Sequence, residues 1–334
     1  MFKTSPNAAI SKIEVAYTAK QPIFIWGSPG IGKSDSVRKA ADNLQIELVD
    51  VRASQLDAVD LRGIPYVDPV TQLTTWATPD FLPKTGNGIL FLDEMNSAAP
   101  SVQAALYQLI LDRQLGDYVL PDGWICMGAG NLDTDRGVTN RMPTPLRNRF
   151  AMHMEIGVSH DDWHQWAIQQ GVEPELIAYI KYRPENLHKF DPSSDDKAFP
   201  TPRSWSFVDK WLKATSTIDD SFPFIIGAVG EGVAIDFKTH LTLYSKLPDI
   251  NKIMRGETVT FDATDPAICY SLATAIGHHA KQSNIKHAMD FLQNELSPEY
   301  GVMGIRYALE KTPTLHTEKV ILAWVGKNKN LFVQ

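Results

Sequence analysis

"FIWGSPGIGKSDS", Phe24–Ser36, decides the fold. It overlaps "IFIW", Ile23–Trp26, a short apolar run rich in strand formers that stops at Gly27. Such a run reads as a buried strand. "SDSVRKAADNL", which follows the loop, has helical composition. Between them "GSPGIGKS" fits G-x-x-x-x-G-K-[ST], in the strand-to-helix context that a phosphate-binding loop requires. Gly27, Ser28, Pro29, Gly30, Ile31, Gly32, Lys33 and Ser34 are therefore assigned to nucleotide binding. The glycines let the main chain curl so that N–H groups converge on phosphate oxygens, and the following helix adds the positive end of its dipole. Lys33 is expected to reach the β- and γ-phosphates of ATP, and Ser34 to put its hydroxyl on Mg²⁺. The competing reading is a chance match, which a chain of this length produces about once in a hundred.

A loop of this kind hydrolyses ATP only beside a second strand that ends in acids. "GILFLDEMNSA" supplies one: Ile89–Leu92 reads as an apolar strand with Asp93 and Glu94 at its C-terminal end. Asp93 is expected to hold Mg²⁺, mostly through water, and Glu94 to orient and deprotonate the attacking water. Taken alone, the two acids could simply lead into the helix "PSVQAALYQLILDR". A third strand, "WICMGAGN", runs from Trp124 and ends at Asn131. By itself Asn131 reads equally well as a polar group near the γ-phosphate and as a turn residue starting "NLDTDRG".

The order of these segments, followed by "TPLRNRF", resembles the AAA+ ATPases, and more closely their MoxR and dynein-related (AAA_5) groups. The resemblance is firm over about residues 20–156 and fades beyond about 245. It implies an α/β P-loop NTPase core with a parallel sheet, followed by an α-helical lid and a C-terminal helical region. Asn131 then matches sensor 1. "PLRNRF" matches the segment with the arginine finger, for which Arg149 is the first choice and Arg147 the second. "TPRSW", Thr201–Trp205, matches the sensor 2 region, where Arg203 would touch the γ-phosphate. "GIPYVDPVTQLTTWATPDFL" reads as a hairpin and resembles the helix-2 insert of the MoxR group, which faces a ring pore; "RQLGDYVLPDGW" resembles their pre-sensor-1 hairpin. "DEMNSA" resembles the group's "DEINRA", with Met95 in place of Ile and Asn96 kept.

The second half changes character. "DDWHQWAIQQ", "PELIAYIKYR" and "RSWSFVDKWLKAT" have apolar residues at helical spacing, so Trp163, Trp166, Trp205 and Trp211 are expected as core and helix-packing residues rather than as a base-stacking platform. "RPENLHKFDPSSDDKAFPTP" reads as a loop. The expected organisation is a nucleotide-binding core over 1–157 with a hairpin at about 64–78, a helical lid over 158–247 and a C-terminal helical region over 248–334. His278 and His279 are adjacent on a helix, which is poor metal-ligand geometry. The end "VGKNKNLFVQ" is mildly basic and reads as solvated.

Bulk properties narrow the function classes. The chain has 334 residues, 32 Lys and Arg against 39 Asp and Glu, and a formal charge of -7. An acidic chain is no bulk nucleic-acid binder. Two distant cysteines, Cys126 and Cys269, form no zinc set and fit a reducing cytoplasm. The N-terminus lacks a signal-peptide core, no run approaches the ~18 apolar residues of a membrane span, and no second catalytic motif is visible. The leading expectation is an ATP-hydrolysing remodeller: a homo-oligomeric ring, hexameric in the family's manner, acting on a protein client such as one with a von Willebrand factor A domain. The alternatives are a phage-type nucleic-acid motor or clamp-loader-like ATPase, and a scaffold that binds ATP with little turnover. "YVDPVTQLTTW" has no basic residue, although Arg62 lies just before it, which favours a protein over a nucleic acid.

Overall fold

The computed structural model describes residues 1–135, 140, 142–244 and 247–327. Of the mildly basic end, residues 328–334 lie outside the described residues, as do residues 136–137 of the "NLDTDRG" turn. The chain divides into two compact units. One comprises Met1–Ser159 with Asp191–Ser194, the other His160–Phe190 with Asp195–Gln334.

In the first unit the strands are β1 (Phe2–Thr4), β2 (Ile23–Trp26), β3 (Glu47–Arg52), β4 (Ile64–Val67), β5 (Thr74–Ala77), β6 (Asn87–Asp93), β7 (Gln114–Leu115), β8 (Tyr118–Val119), β9 (Gly123–Gly130) and β10 (Met152–Ile156). The helices are α1 (Pro6–Thr18), α2 (Lys33–Leu44), α3 (Ala58–Arg62), α4 (Pro100–Asp112) and α5 (Thr144–Arg147). Six strands form the expected parallel sheet in the order β1-β10-β2-β9-β6-β3. The α/β sheet has the parallel order expected of a P-loop NTPase core, with the phosphate-loop strand β2 between β10 and β9.

Parallel strands buried on both faces carry unbroken apolar runs. "IFIW" shows how two cores come from one run. Phe24 and Trp26 face one side of the sheet, with Leu90, Leu92 and Cys126. Ile23 and Ile25 face the other, with Ile89, Phe91, Ile125 and Met127. This is the period-2 alternation of a strand. Register then fixes where the tips fall. Trp26 lies opposite Gly130, Leu92 opposite Gly128, and Arg52 opposite Asp93. The residues that follow Trp26 and Gly130, and Asp93 itself, therefore share one edge of the sheet. β1 pairs with β10 from Phe2↔Met154 to Thr4↔Ile156, and is an element that the sequence reading did not assign. β4 and β5 form an antiparallel hairpin, as do β7 and β8.

The second unit is helical: α6 (His160–Gln169), α7 (Pro174–Tyr182), α8 (Pro202–Ala214), α9 (Ile218–Val229), α10 (Glu231–Tyr244), α11 (Ile250–Met254), α12 (Pro266–His279), α13 (Ile285–Asn294), α14 (Pro298–Lys311) and α15 (Lys319–Lys327). Thr201 caps α8 reciprocally with Ser204. The tryptophans divide by helix face. Trp163 and Trp205 are core residues, whereas Trp166 and Trp211 are each 39% exposed. On α8 the inward positions are Trp205 and Val208, so Phe207 and Trp211, four apart, fall on the outer face. There Trp211 stacks on Phe224 with ring centroids 4.8 Å apart.

A buried histidine makes this unit acid-sensitive. His240 is 4% exposed, stacks on Tyr182 and lies against Tyr179. Burial pushes its imidazole down to about 4. Between the ordinary histidine value near 6.5 and about 4, the unfolded chain takes up a proton that the folded chain does not, so stability falls as pH drops through that window. The loss is of order 3 kcal/mol from this residue. His278, pushed down to about 4 by burial and the Lys311 ammonium, adds a term of the same sign. Urea unfolding at pH 7 and pH 4.5 is expected to show a smaller acid loss for His240→Phe than for wild type. Equal losses would remove His240 from the account.

Candidate active site

The shared sheet edge collects the assigned side chains of the first unit. Gly30 and Gly32 have φ of 77° and 94°, left-handed conformations that the tight loop needs and a β-carbon would disfavour. Gly27 meets a different demand: a β-carbon there would stand 2.8 Å from the main-chain oxygen of Ile156 and 2.5 Å from Ile31 Cδ1. α2 starts at Lys33, with Gly32 at its cap.

Lys33 is 9% exposed, and its ammonium donates to Gly27 O (2.6 Å), Ser28 O (3.1 Å) and Asn131 Oδ1 (3.0 Å). A buried cation needs such partners, because each lost hydrogen bond to charge is worth about 1.5–3 kcal/mol. Asn131 thus lies at the phosphate loop, where the resemblance puts sensor 1. Ser34 Oγ donates to Asp93 Oδ2 at 2.9 Å, so the two residues assigned to Mg²⁺ touch. Asp50 on β3 lies close by, and burial, then the Asp93 carboxylate, push its carboxyl up. The Ser34 hydroxyl and the Asp93 carboxylate are hard oxygen donors of the kind Mg²⁺ takes, while Asp50 is also paired with Arg38 at 3.6 Å.

Glu94 takes a left-handed backbone, φ 56°, rare for a residue with a side chain and costing about 1–3 kcal/mol. Its N–H donates to Asp93 Oδ1 at 2.8 Å, and its carboxylate accepts a short hydrogen bond from the Ser54 hydroxyl. Ser54 follows β3, and sequence reading missed it. The Arg52↔Asp93 register, once known, places it beside Glu94. Asp135, also missed, accepts from Ser28 Oγ and Leu132 N, both at 3.1 Å, and ties the phosphate loop to the chain after β9.

The candidate finger residues sit at α5. Arg149 lies over the Tyr107 ring, its carbon centre 4.9 Å from the centroid, and donates to Tyr107 Oη. Arg147 Nη2 donates to Thr144 Oγ1 at 3.0 Å. A histidine links this segment to the phosphate-loop strand: Trp26 Nε1 donates to His153 Nδ1 (3.1 Å), and His153 Nε2–H donates to the Arg147 carbonyl (2.8 Å). Arg203 is an exposed residue in the first turn of α8, in the second unit.

Residues 23–158 match the family described as ATPase family associated with various cellular activities (AAA). The matched stretch ends within two residues of β10, so it runs from β2 to the end of the core sheet. Among solved structures, the chain is similar to the RuvB Holliday junction branch migration motor of Thermotoga maritima, at 18% identity over 89% of this chain and 86% of that one, with a TM-score of 0.39. It is also similar to NtrX from Brucella abortus in complex with ADP, at 14% identity over 97% of this chain and 68% of that one, with a TM-score of 0.45. Among the described residues, no helix is long and apolar enough to cross a membrane.

Proposed function

We propose that the chain is a ring-forming AAA+ ATPase of the MoxR type that spends ATP hydrolysis on reshaping a protein partner. In this reading Gly27 to Ser34 cradle the phosphates, Lys33 and Asn131 meet the γ-phosphate, and Ser34 and Asp93 hold Mg²⁺. Glu94 takes the proton from the attacking water. Arg149 of one subunit, or else Arg147, completes the site of the next, in a ring that the resemblance makes hexameric. Arg203 couples the γ-phosphate to the angle of the helical lid over residues 158–247. A cytoplasmic setting agrees with two free, buried cysteines.

The observation that carries the choice of a protein client is the β4–β5 hairpin. It exposes Ile64 (69%), Tyr66, Val67, Val70 (88%) and Leu73, and residues 63–83 contain no Lys or Arg. Apolar tips grip apolar or extended polypeptide through burial, whereas a phosphate backbone would require cations there. A client bearing a von Willebrand factor A domain is the family-based expectation.

The test is capture. Glu94→Gln protein, tagged and expressed in its native host, is held with ATP, and half the sample is treated with nuclease. A stoichiometric protein that survives nuclease supports this reading and names the client. Retained DNA or RNA, with proteins lost on nuclease treatment, overturns it in favour of a nucleic-acid motor or loader.

A further inference from the structure

We propose that Asn96 is a positioning residue for hydrolysis: its carboxamide clamps the main chain of Asn131 and thereby fixes where the Asn131 side chain meets Lys33. The proposal rests on the ATPase reading of the site. Asn96 is 1% exposed, two residues beyond Glu94. Its Nδ2 donates to Asn131 O at 2.8 Å, and its Oδ1 accepts from Asn131 N at 3.2 Å. One side chain thus satisfies both main-chain groups of a single residue. Its own carbonyl accepts from Asn140 N at 2.6 Å, which anchors the clamp from behind.

A carboxamide suits this place because it is neutral, planar, and offers a donor and an acceptor side by side. An aspartate of the same shape would keep the acceptor and turn a second oxygen toward the Asn131 carbonyl oxygen. The strand is shaped to receive the clamp. A β-carbon at Gly130 would stand 2.4 Å from Asn96 Oδ1, and one at Gly128 would stand 2.7 Å from Met95 Sδ. Glycines at these two positions let the loop after Glu94 lie directly on β9. Beyond the clamp, Asn131 Oδ1 accepts from Lys33 Nζ at 3.0 Å. The segment that carries the proposed general base and the one that carries the γ-phosphate contact are therefore joined through Asn96. A displacement of about 1 Å at such a contact can cost about 100-fold in rate.

The test compares Asn96→Asp, Asn131→Ala and the double variant in the full-length protein. Phosphate release gives kcat and KM, a fluorescent ATP analogue gives affinity, and thermal melting reports folding. Asn96→Asp is expected to lower kcat about 10- to 100-fold, with KM and analogue affinity changed by less than about threefold. In the Asn131→Ala background the same substitution is expected to cause almost no further loss, because its effect acts through Asn131. Gly130→Ala, which displaces the carboxamide without removing it, is the second variant and should reproduce the kcat loss if Asn96→Asp fails to fold. Equal fold-losses in both backgrounds, or a loss confined to KM, would overturn the proposal. Wild-type turnover in Asn96→Asp would overturn it while leaving the ATPase reading intact. A wild-type protein that releases no phosphate would overturn that reading itself, and the positioning role with it.

Discussion

Glu94→Gln is expected to bind ATP as wild type does and to release phosphate at least about 100-fold more slowly. The substitution removes basicity and little else. Gln has nearly the shape of Glu and keeps an oxygen that can accept from the Ser54 hydroxyl. The left-handed backbone at Glu94 and the hydrogen bond from its N–H to Asp93 Oδ1 do not depend on the side-chain charge. The phosphate loop is untouched, since Lys33 is held by Gly27, Ser28 and Asn131. A general base contributes roughly 10²–10⁴ in rate, which sets the floor of the expected loss. Phosphate release under saturating ATP, paired with titration of a fluorescent ATP analogue, separates the two quantities. Turnover equal to wild type would take the proton-accepting role away from Glu94. A loss of affinity as large as the loss of rate would mean that the carboxylate holds the loop together.

What could be read in advance followed from demands that are local in sequence. "IFIW" and "ILFL" are legible because a strand buried on both faces must be apolar throughout, and the residues at their ends are dictated by phosphate and metal chemistry. Ser54, Asp135 and His153 were not legible because their roles arise from strand order. Ser54 meets a partner 40 residues away, Asp135 one 107 away, and His153 one 127 away. Only the placement of β9 between β2 and β6 brings the residues of three separate strand tips together. "NLDTDRG" contains two aspartates and a turn signal, and nothing in its composition tells which acid turns toward Ser28. Trp211 was legible as a helix-packing residue but not in its detail: helical spacing from Trp205 and Val208 puts it on the outer face of α8, and its partner Phe224 lies on the next helix. β1 is only three residues long and has no run to read; its partner is the distant β10.

Arg149→Ala is expected to lower turnover by about 10³ or more, and mixing it with Lys33→Ala subunits is expected to restore part of the loss. The contacts explain why Arg149 is the stronger candidate. Arg147 is tied to Thr144 in its own short helix, a local bond of the kind that any surface arginine makes. Arg149 is held by Tyr107, which belongs to α4 and lies 42 residues away in sequence, through both a ring contact and a hydrogen bond. A guanidinium fixed in this way has already given up much of its rotamer freedom and meets transition-state charge at a smaller entropic cost. In a ring of randomly mixed subunits, roughly a quarter of the interfaces pair an intact phosphate loop with an intact finger, which sets the ceiling on recovery. Each variant alone has no such interface. Recovery with Arg149→Ala and none with Arg147→Ala would identify the finger and show that it acts between subunits. The reverse pattern would transfer the role to Arg147. If neither variant complements Lys33→Ala, each site works within its own chain, and the ring reading fails with the finger.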